Sequence, residues 1–229
     1  MTVLHAHSSV DDPVNKGRPV NDGRPPAPPT SELLIRIVEG CPEGEVSVGN
    51  LIDGLGDRAF GIILLILSLP VAIPGPPGLP VIFGTPMLVF AAQLWLGHAR
   101  PWLPSFVRQR KFPRATLLSL LRRVRPALAW LERVCRPRLL GMTDRLGERW
   151  LGAFIFICAI VLINPVPIPF THLPLGFALA ILSLGYVERD GFVILGGALA
   201  ALVGMVINLS LTGGLLLVGF RFLQHFFAS

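Results

Sequence analysis

Three stretches of this chain contain no Asp, Glu, Lys or Arg: Ala59 to Ala99 (41 residues), Trp150 to Val187 (38) and Gly191 to Phe220 (30). A helix that crosses a bilayer needs roughly 20 apolar residues. The first two runs therefore hold two segments each, and the third holds one or two. With 52% hydrophobic residues, 15% charged residues and a mean hydropathy of +0.64, the composition argues against an ordinary soluble domain. The expected fold is an all-α membrane protein with about five to six transmembrane or re-entrant helices.

The net charge of +6 conceals a segregation. Residues 1–58 hold five basic and nine acidic residues, whereas residues 100–149 hold thirteen basic and three acidic. Lys and Arg beside membrane helices mark the cytoplasmic side, while Asp and Glu contribute little to orientation. The connection between the first two apolar runs is therefore expected in the cytoplasm, together with the N-terminus. Residues 1–30, rich in Pro, Gly and charge and without the apolar core of a secretory signal, read as a disordered tail ahead of a membrane domain over 31–229. Cys41, Cys135 and Cys158 are too scattered for a metal site or a disulfide framework.

Two short amphipathic patterns precede the first run. "SELLIRIVEG" offers Ser31 as a cap and Gly40 as a stop, and "SVGNLIDGLGDR" offers Ser47 as a cap with Val48, Leu51, Ile52 and Leu55 on one face. Both are too short and charged to span, so they are expected on the cytoplasmic membrane surface or against the protein. The connection, about 105–146, contains "RATLLSLLRRVRPALAWLERVCRPRLL", read as an interfacial helix or helix pair bent at Pro126. Its arginines suit anionic head groups, and no nucleic-acid recognition motif accompanies them.

The chain repeats itself. "GDRAFGIILLIL" from Gly56 aligns with "GERWLGAFIFIC" from Gly147 at an offset of 91, and Pro74-Gly75-Pro76 with Pro167-Ile168-Pro169 at an offset of 93. Leu79-Pro80 then aligns with Leu173-Pro174 at 94. Repeat one covers about 56–104 and repeat two about 147–194, followed by a C-terminal apolar segment over 191–224. If the basic connection is cytoplasmic and each copy crosses an even number of times, the repeats are parallel; inverted repeats need one break to be re-entrant while the other copy crosses.

Each copy carries a proline-rich break. "LPVAIPGPPGLP" puts five prolines into twelve apolar residues, which no continuous helix tolerates. Irregular backbone survives at membrane depth only when it lines a cavity or is buried in protein. Pro74, Pro76, Pro167 and Pro169, with Asn164 and His172 flanking the second break, are therefore candidate cavity-lining or substrate-binding residues. The competing reading makes each break a tight turn at the far membrane face. Arg58 and Arg149, equivalent in the two copies, are candidates for a phosphate or lipid head group, or else simple membrane-surface anchors beside Asp57 and Glu148. The Glu188-Arg189-Asp190 stretch reads as a cytoplasmic loop.

The ordered motifs "GDRAFG", "LPVAIPGPPGLPVIFGTPMLVFAAQLWLGHARPWLP", "LERVCRPRL" and "PVPIPFTHLPLGFALAILSLGYVERDG" resemble the ExoD family of bacterial membrane proteins associated with exopolysaccharide synthesis, over about Ser31 to Gly204. The resemblance implies a cytoplasmic (inner) membrane protein needed for exopolysaccharide production, with no established catalytic reaction. It also implies an Asn shortly before the second Leu-Pro, where this chain has Thr171-His172.

No catalytic signature is expected to operate in this chain. Phosphate-binding glycine loops, H-E-x-x-H spacing and a G-x-S-x-G elbow are absent from the sequence. The expectation is a non-enzyme with no cofactor and no metal. Its partners are membrane lipids, exopolysaccharide-synthesis proteins or a second copy of itself, and not nucleic acid. Two functions stay open: a carrier of a lipid-linked glycan, a lipid or an ion, and a non-transporting scaffold or regulator of the exopolysaccharide machinery.

Overall fold

Away from water an apolar run must satisfy its backbone hydrogen bonds internally, as helices and closed barrels do, and this chain does so as helices. The computed structural model describes residues 30–40, 44–76, 78–134, 145–164 and 171–228. Among them are α1 (Thr30–Gly40), α2 (Val48–Leu55), α3 (Arg58–Ser68), α4 (Leu79–Trp95), α5 (Ser105–Arg108), α6 (Arg114–Val134), α7 (Arg145–Ile163), α8 (Leu173–Glu188) and α9 (Gly191–Ala228). The all-helical expectation needs one small correction. Glu45–Ser47 (β1) and Lys111–Pro113 (β2) pair as an antiparallel ribbon, Val46 opposite Phe112.

Helices α3, α4, α7 and α8 form the core, with Phe60, Leu64, Met87, Leu94, Ile155, Leu162, Leu175 and Leu179 buried between them. Helix α4 packs chiefly on α7 and α3 chiefly on α8. Glycines set how closely these pairs approach, because a missing side chain lets backbones come together. A Cβ on Gly61 would meet Val187 and Tyr186, and one on Gly152 would meet Trp95 and Leu94. Further along, a Cβ on Gly176 would meet Val71 and Ala72, and one on Gly84 would meet Ile163 and Leu162. The start of α3 thus lies beside the end of α8, and the end of α3 beside the start of α8, so the two run antiparallel. The same holds for α4 and α7.

Helix α9 folds back on α8. Gly185 faces Val193 and Ile194, Gly197 faces Leu182, and Gly204 faces Leu175, each within 3.0 Å of a built Cβ. The corner between them is closed by Asp190, whose carboxylate accepts from the backbone N–H of Phe192 (3.0 Å) and Val193 (3.4 Å). Asp190 is only 4% exposed, so it is a buried helix cap rather than part of an open loop.

Outside the core, α1, α2 and α6 form a layer at the end where α3 begins. Ser47 caps α2 as its sequence predicts, accepting from the Asn50 N–H at 3.1 Å. Ile52, Leu55 and Ala59 then pack with Leu33, Leu34 and Ile37, so both short helices lie against the protein. Arg114 ties α6 to α1 by donating to the Glu39 carbonyl (2.9 Å). Over the described residues Arg114–Val134, α6 is one helix that runs through Pro126, and the rest of the expected helix or helix pair lies outside the described residues.

Among the described residues, two helices are long and apolar enough to cross a membrane, Leu146–Ile163 within α7 and Gly191–Val218 within α9. The core helix of a soluble protein would be mostly buried, but only 33% and 28% of these windows are. Ile157, Ile160, Leu195, Leu199 and Val203 all face outward. Long apolar helices with apolar outer faces point to membrane association. The shorter apolar helices α3, α4 and α8 have 11, 17 and 16 residues.

Candidate functional site

The four core helices bring the starts of α3 and α7 and the ends of α4 and α8 to the same end of the bundle, around a cavity of about 600 Å³. Its apolar wall includes Phe60, Leu94, Leu96 and Leu146. Its polar wall comprises Asp57, His98, Glu148, Arg149, Tyr186 and Arg189. Two acids and two guanidiniums share one amphipathic space.

Three of the four charged groups are held by a neighbour from the other half of the chain, and Glu148 by one from its own. Arg149, on the first turns of α7, donates from Nε to the Trp95 carbonyl at the end of α4 (3.1 Å). A cation at a helix C-terminus is favourable with the helix dipole. Arg189, just after α8, lies 3.5 Å from the carboxylate of Asp57, which precedes α3. The Tyr186 hydroxyl donates to the Glu148 carboxylate.

The chain leaves α4 and α8 by the same turn. After α4, Gly97 N–H donates to the Leu94 carbonyl and His98 N–H to that of Gln93. After α8, Arg189 N–H donates to Tyr186 and Asp190 N–H to Gly185. This is the pattern of a Schellman cap, which needs a left-handed residue and favours glycine there. Gly97 meets the requirement at φ +81, whereas Arg189 adopts φ +54 despite its side chain. The Arg149 side chain passes over Gly97, 3.5 Å from where a Cβ would stand.

The residues singled out from the sequence fall into separate places. Arg149 lines the cavity, whereas Arg58 does not, although its neighbour Asp57 does. Pro74 and Pro76 are exposed, at the opposite end of the bundle. Pro167 and Pro169 lie outside the described residues. Asn164 donates to the Thr212 hydroxyl (3.2 Å), tying α7 to α9. His172 precedes α8 and is 8% exposed, with its Nε2 buried and unpartnered among the described residues. The sequence reading missed His98 and Tyr186. His98 follows the cap of α4, and Tyr186 sits on α8 in the position that Leu94 holds on α4, one leucine-sized wall replaced by a phenol. The Leu-Pro offset of 94 pairs Tyr186 with Ala92, so only the matching turns after α4 and α8 reveal its correspondence to Leu94.

The chain matches the family model described as "Exopolysaccharide synthesis, ExoD" over residues 30–210. It is 28% identical over 202 residues to Protein ExoD of Rhizobium meliloti (strain 1021), covering 87% of this chain and 83% of that one. It is also similar to an uncharacterized protein of Synechocystis sp., 31% identical over 180 residues, 76% of this chain and 84% of the other. No solved structure matches the chain. A family match over residues 30–210 and a relative aligned over most of the chain lead to one assignment: this chain belongs to the ExoD exopolysaccharide-synthesis family.

Proposed function

We propose that this protein is a multi-pass protein of the bacterial cytoplasmic membrane that supports exopolysaccharide synthesis as a carrier of a lipid-linked glycan, a lipid or an ion. It acts by holding and moving its cargo, without catalysing a reaction. Its core consists of two parallel repeats, α3–α4 and α7–α8, which cross as hairpins, followed by α9. Support for the repeat comes from the glycine contacts, which recur at offsets of 91 or 92, and from the two matching caps at Gly97 and Arg189. Parallel orientation is favoured because both hairpins begin and end at one cavity. Trp95, Trp102 and Trp150, all exposed at that end, suit a membrane–water interface.

The observation that carries the carrier reading is the cavity itself: charged groups from both halves meet beside an apolar wall, at the end expected to face the cytoplasm. Such a space accommodates a polar head group and the apolar chain attached to it. The test is purified protein in liposomes carrying a fluorescent polyprenyl-phosphate lipid. Protein-dependent movement of the label between leaflets is the expected result, and its absence from folded, correctly inserted protein would sink the carrier reading.

A scaffold or regulator is favoured by a different feature, the layer of α1, α2 and α6, on which Arg122 and Arg123 are exposed. On that reading Arg122→Glu with Arg123→Glu abolishes exopolysaccharide output at normal abundance while leaving any lipid movement intact. On the carrier reading the same pair changes output little.

A further inference from the structure

The cavity contains two arginines in different situations, and each points to a ligand. Arg149 is anchored only through Nε, so its two terminal Nη groups, which make up the fork, have no partner among the described residues. A guanidinium held by its inner nitrogen presents a planar pair of donors, the geometry that matches two oxygens of a phosphate. Arg189 occupies a left-handed backbone position at φ +54, where the equivalent turn uses Gly97. A side chain there is less favourable than glycine. Strain of this kind persists where the side chain has a task. Its contact with Asp57, at 3.5 Å between exposed groups, is too weak to be that task.

Asp57 and Glu148 set a second condition. Two carboxylates on the same wall repel a small free dianion but accept hydrogen bonds from hydroxyls. The apolar side, Phe60, Leu94 and Leu146, selects for a hydrocarbon chain.

From this arrangement we infer that the cavity binds the phosphate of a membrane lipid whose head group also carries hydroxyls, with the phosphate on the Arg149 fork and Arg189 and the hydroxyls on Asp57 and Glu148. The inference deepens the proposed function by naming the cargo's chemistry, and it rests on the same cavity, but not on movement of the cargo.

Binding is measured on the full-length protein in phosphatidylcholine nanodiscs, using three probes: a polyprenyl diphosphate-linked hexose, the bare polyprenyl phosphate, and inorganic pyrophosphate. The sugar-linked lipid is expected to bind at least tenfold more tightly than the bare lipid, and pyrophosphate at least a hundredfold more weakly. Arg149→Lys, which keeps the charge and loses the fork, weakens the sugar-linked lipid at least tenfold. Arg189→Lys provides a second variant that leaves the Trp95 contact intact, and Arg36→Lys on α1 serves as the control. Unchanged affinity in both cavity variants, with elution profiles like the parent's, overturns the inference. Equal binding of pyrophosphate and lipid overturns it as well, in favour of a free phosphate site. Binding without movement in liposomes removes the carrier reading alone, whereas movement with unchanged binding in both variants removes this inference alone.

Discussion

The two hairpins solve the same packing problem with glycine, but what their glycines face differs. In the first hairpin, a Cβ on Gly61 would reach the Val187 and Tyr186 side chains at 2.6 and 2.8 Å, and one on Gly84 the Ile163 side chain at 2.9 Å. In the second, a Cβ on Gly152 would reach the Trp95 backbone nitrogen at 2.5 Å, and one on Gly176 the Val71 backbone carbonyl at 2.8 Å. Side chains can turn away, whereas backbone, in α4 at Trp95 or in the turn after α3 at Val71, moves only with its neighbours. The second hairpin is therefore the less forgiving half. Different elements also cover the two: α9 lies along α8, while α2 packs at the start of α3.

The largest expected effect follows from that contrast. Gly152→Ala and Gly176→Ala should each destabilise the protein by about 3 kcal/mol, the upper range for overpacking, and deplete the monodisperse fraction in detergent. Gly61→Ala and Gly84→Ala should cost about 1 kcal/mol each, by the same measure, since rotamer shifts absorb much of the clash. Equal losses in all four variants would break the comparison.

A smaller pair of changes exchanges the corner residues of the two halves. Arg189→Gly should raise stability by up to about 1 kcal/mol by relieving the left-handed arginine, while Gly97→Ala should lower it by about 1 kcal/mol. Thermal unfolding followed by elution profile reads both. Stabilisation by Arg189→Gly together with a loss of exopolysaccharide output would sharpen the contrast, showing a strained residue kept for what its side chain does. Loss of stability instead would mean that its side-chain contacts outweigh the backbone cost.

The smallest effect is expected at the first break. Pro74 and Pro76 are exposed and line no part of the cavity described, so Pro74→Ala with Pro76→Ala should cost about 0.5 to 1 kcal/mol, chiefly by loosening the unfolded chain. Exopolysaccharide output should stay near the parent's. Abolished output at normal abundance would shift the functional site to this end of the bundle.

Much of this was legible in the sequence because its causes are local. Charge-free runs dictate helices wherever backbone groups lack water, Ser47 offers its oxygen to an amide three residues on, and Leu-Pro begins both α4 and α8 where a missing N–H costs nothing. The glycines that set the helix contacts pair at 91 or 92 and not at the 94 that the Leu-Pro pairs give. What only the tertiary structure decided is which ends meet. Asp57 and Arg189 stand 132 residues apart, and Arg149 reaches a carbonyl 54 residues away. No local pattern encodes such neighbours, because they depend on how two hairpins cross and on which glycines let them close. The proline breaks stand out because their signal lies in the sequence itself, whereas the cavity is assembled from four helix ends that meet only in the fold.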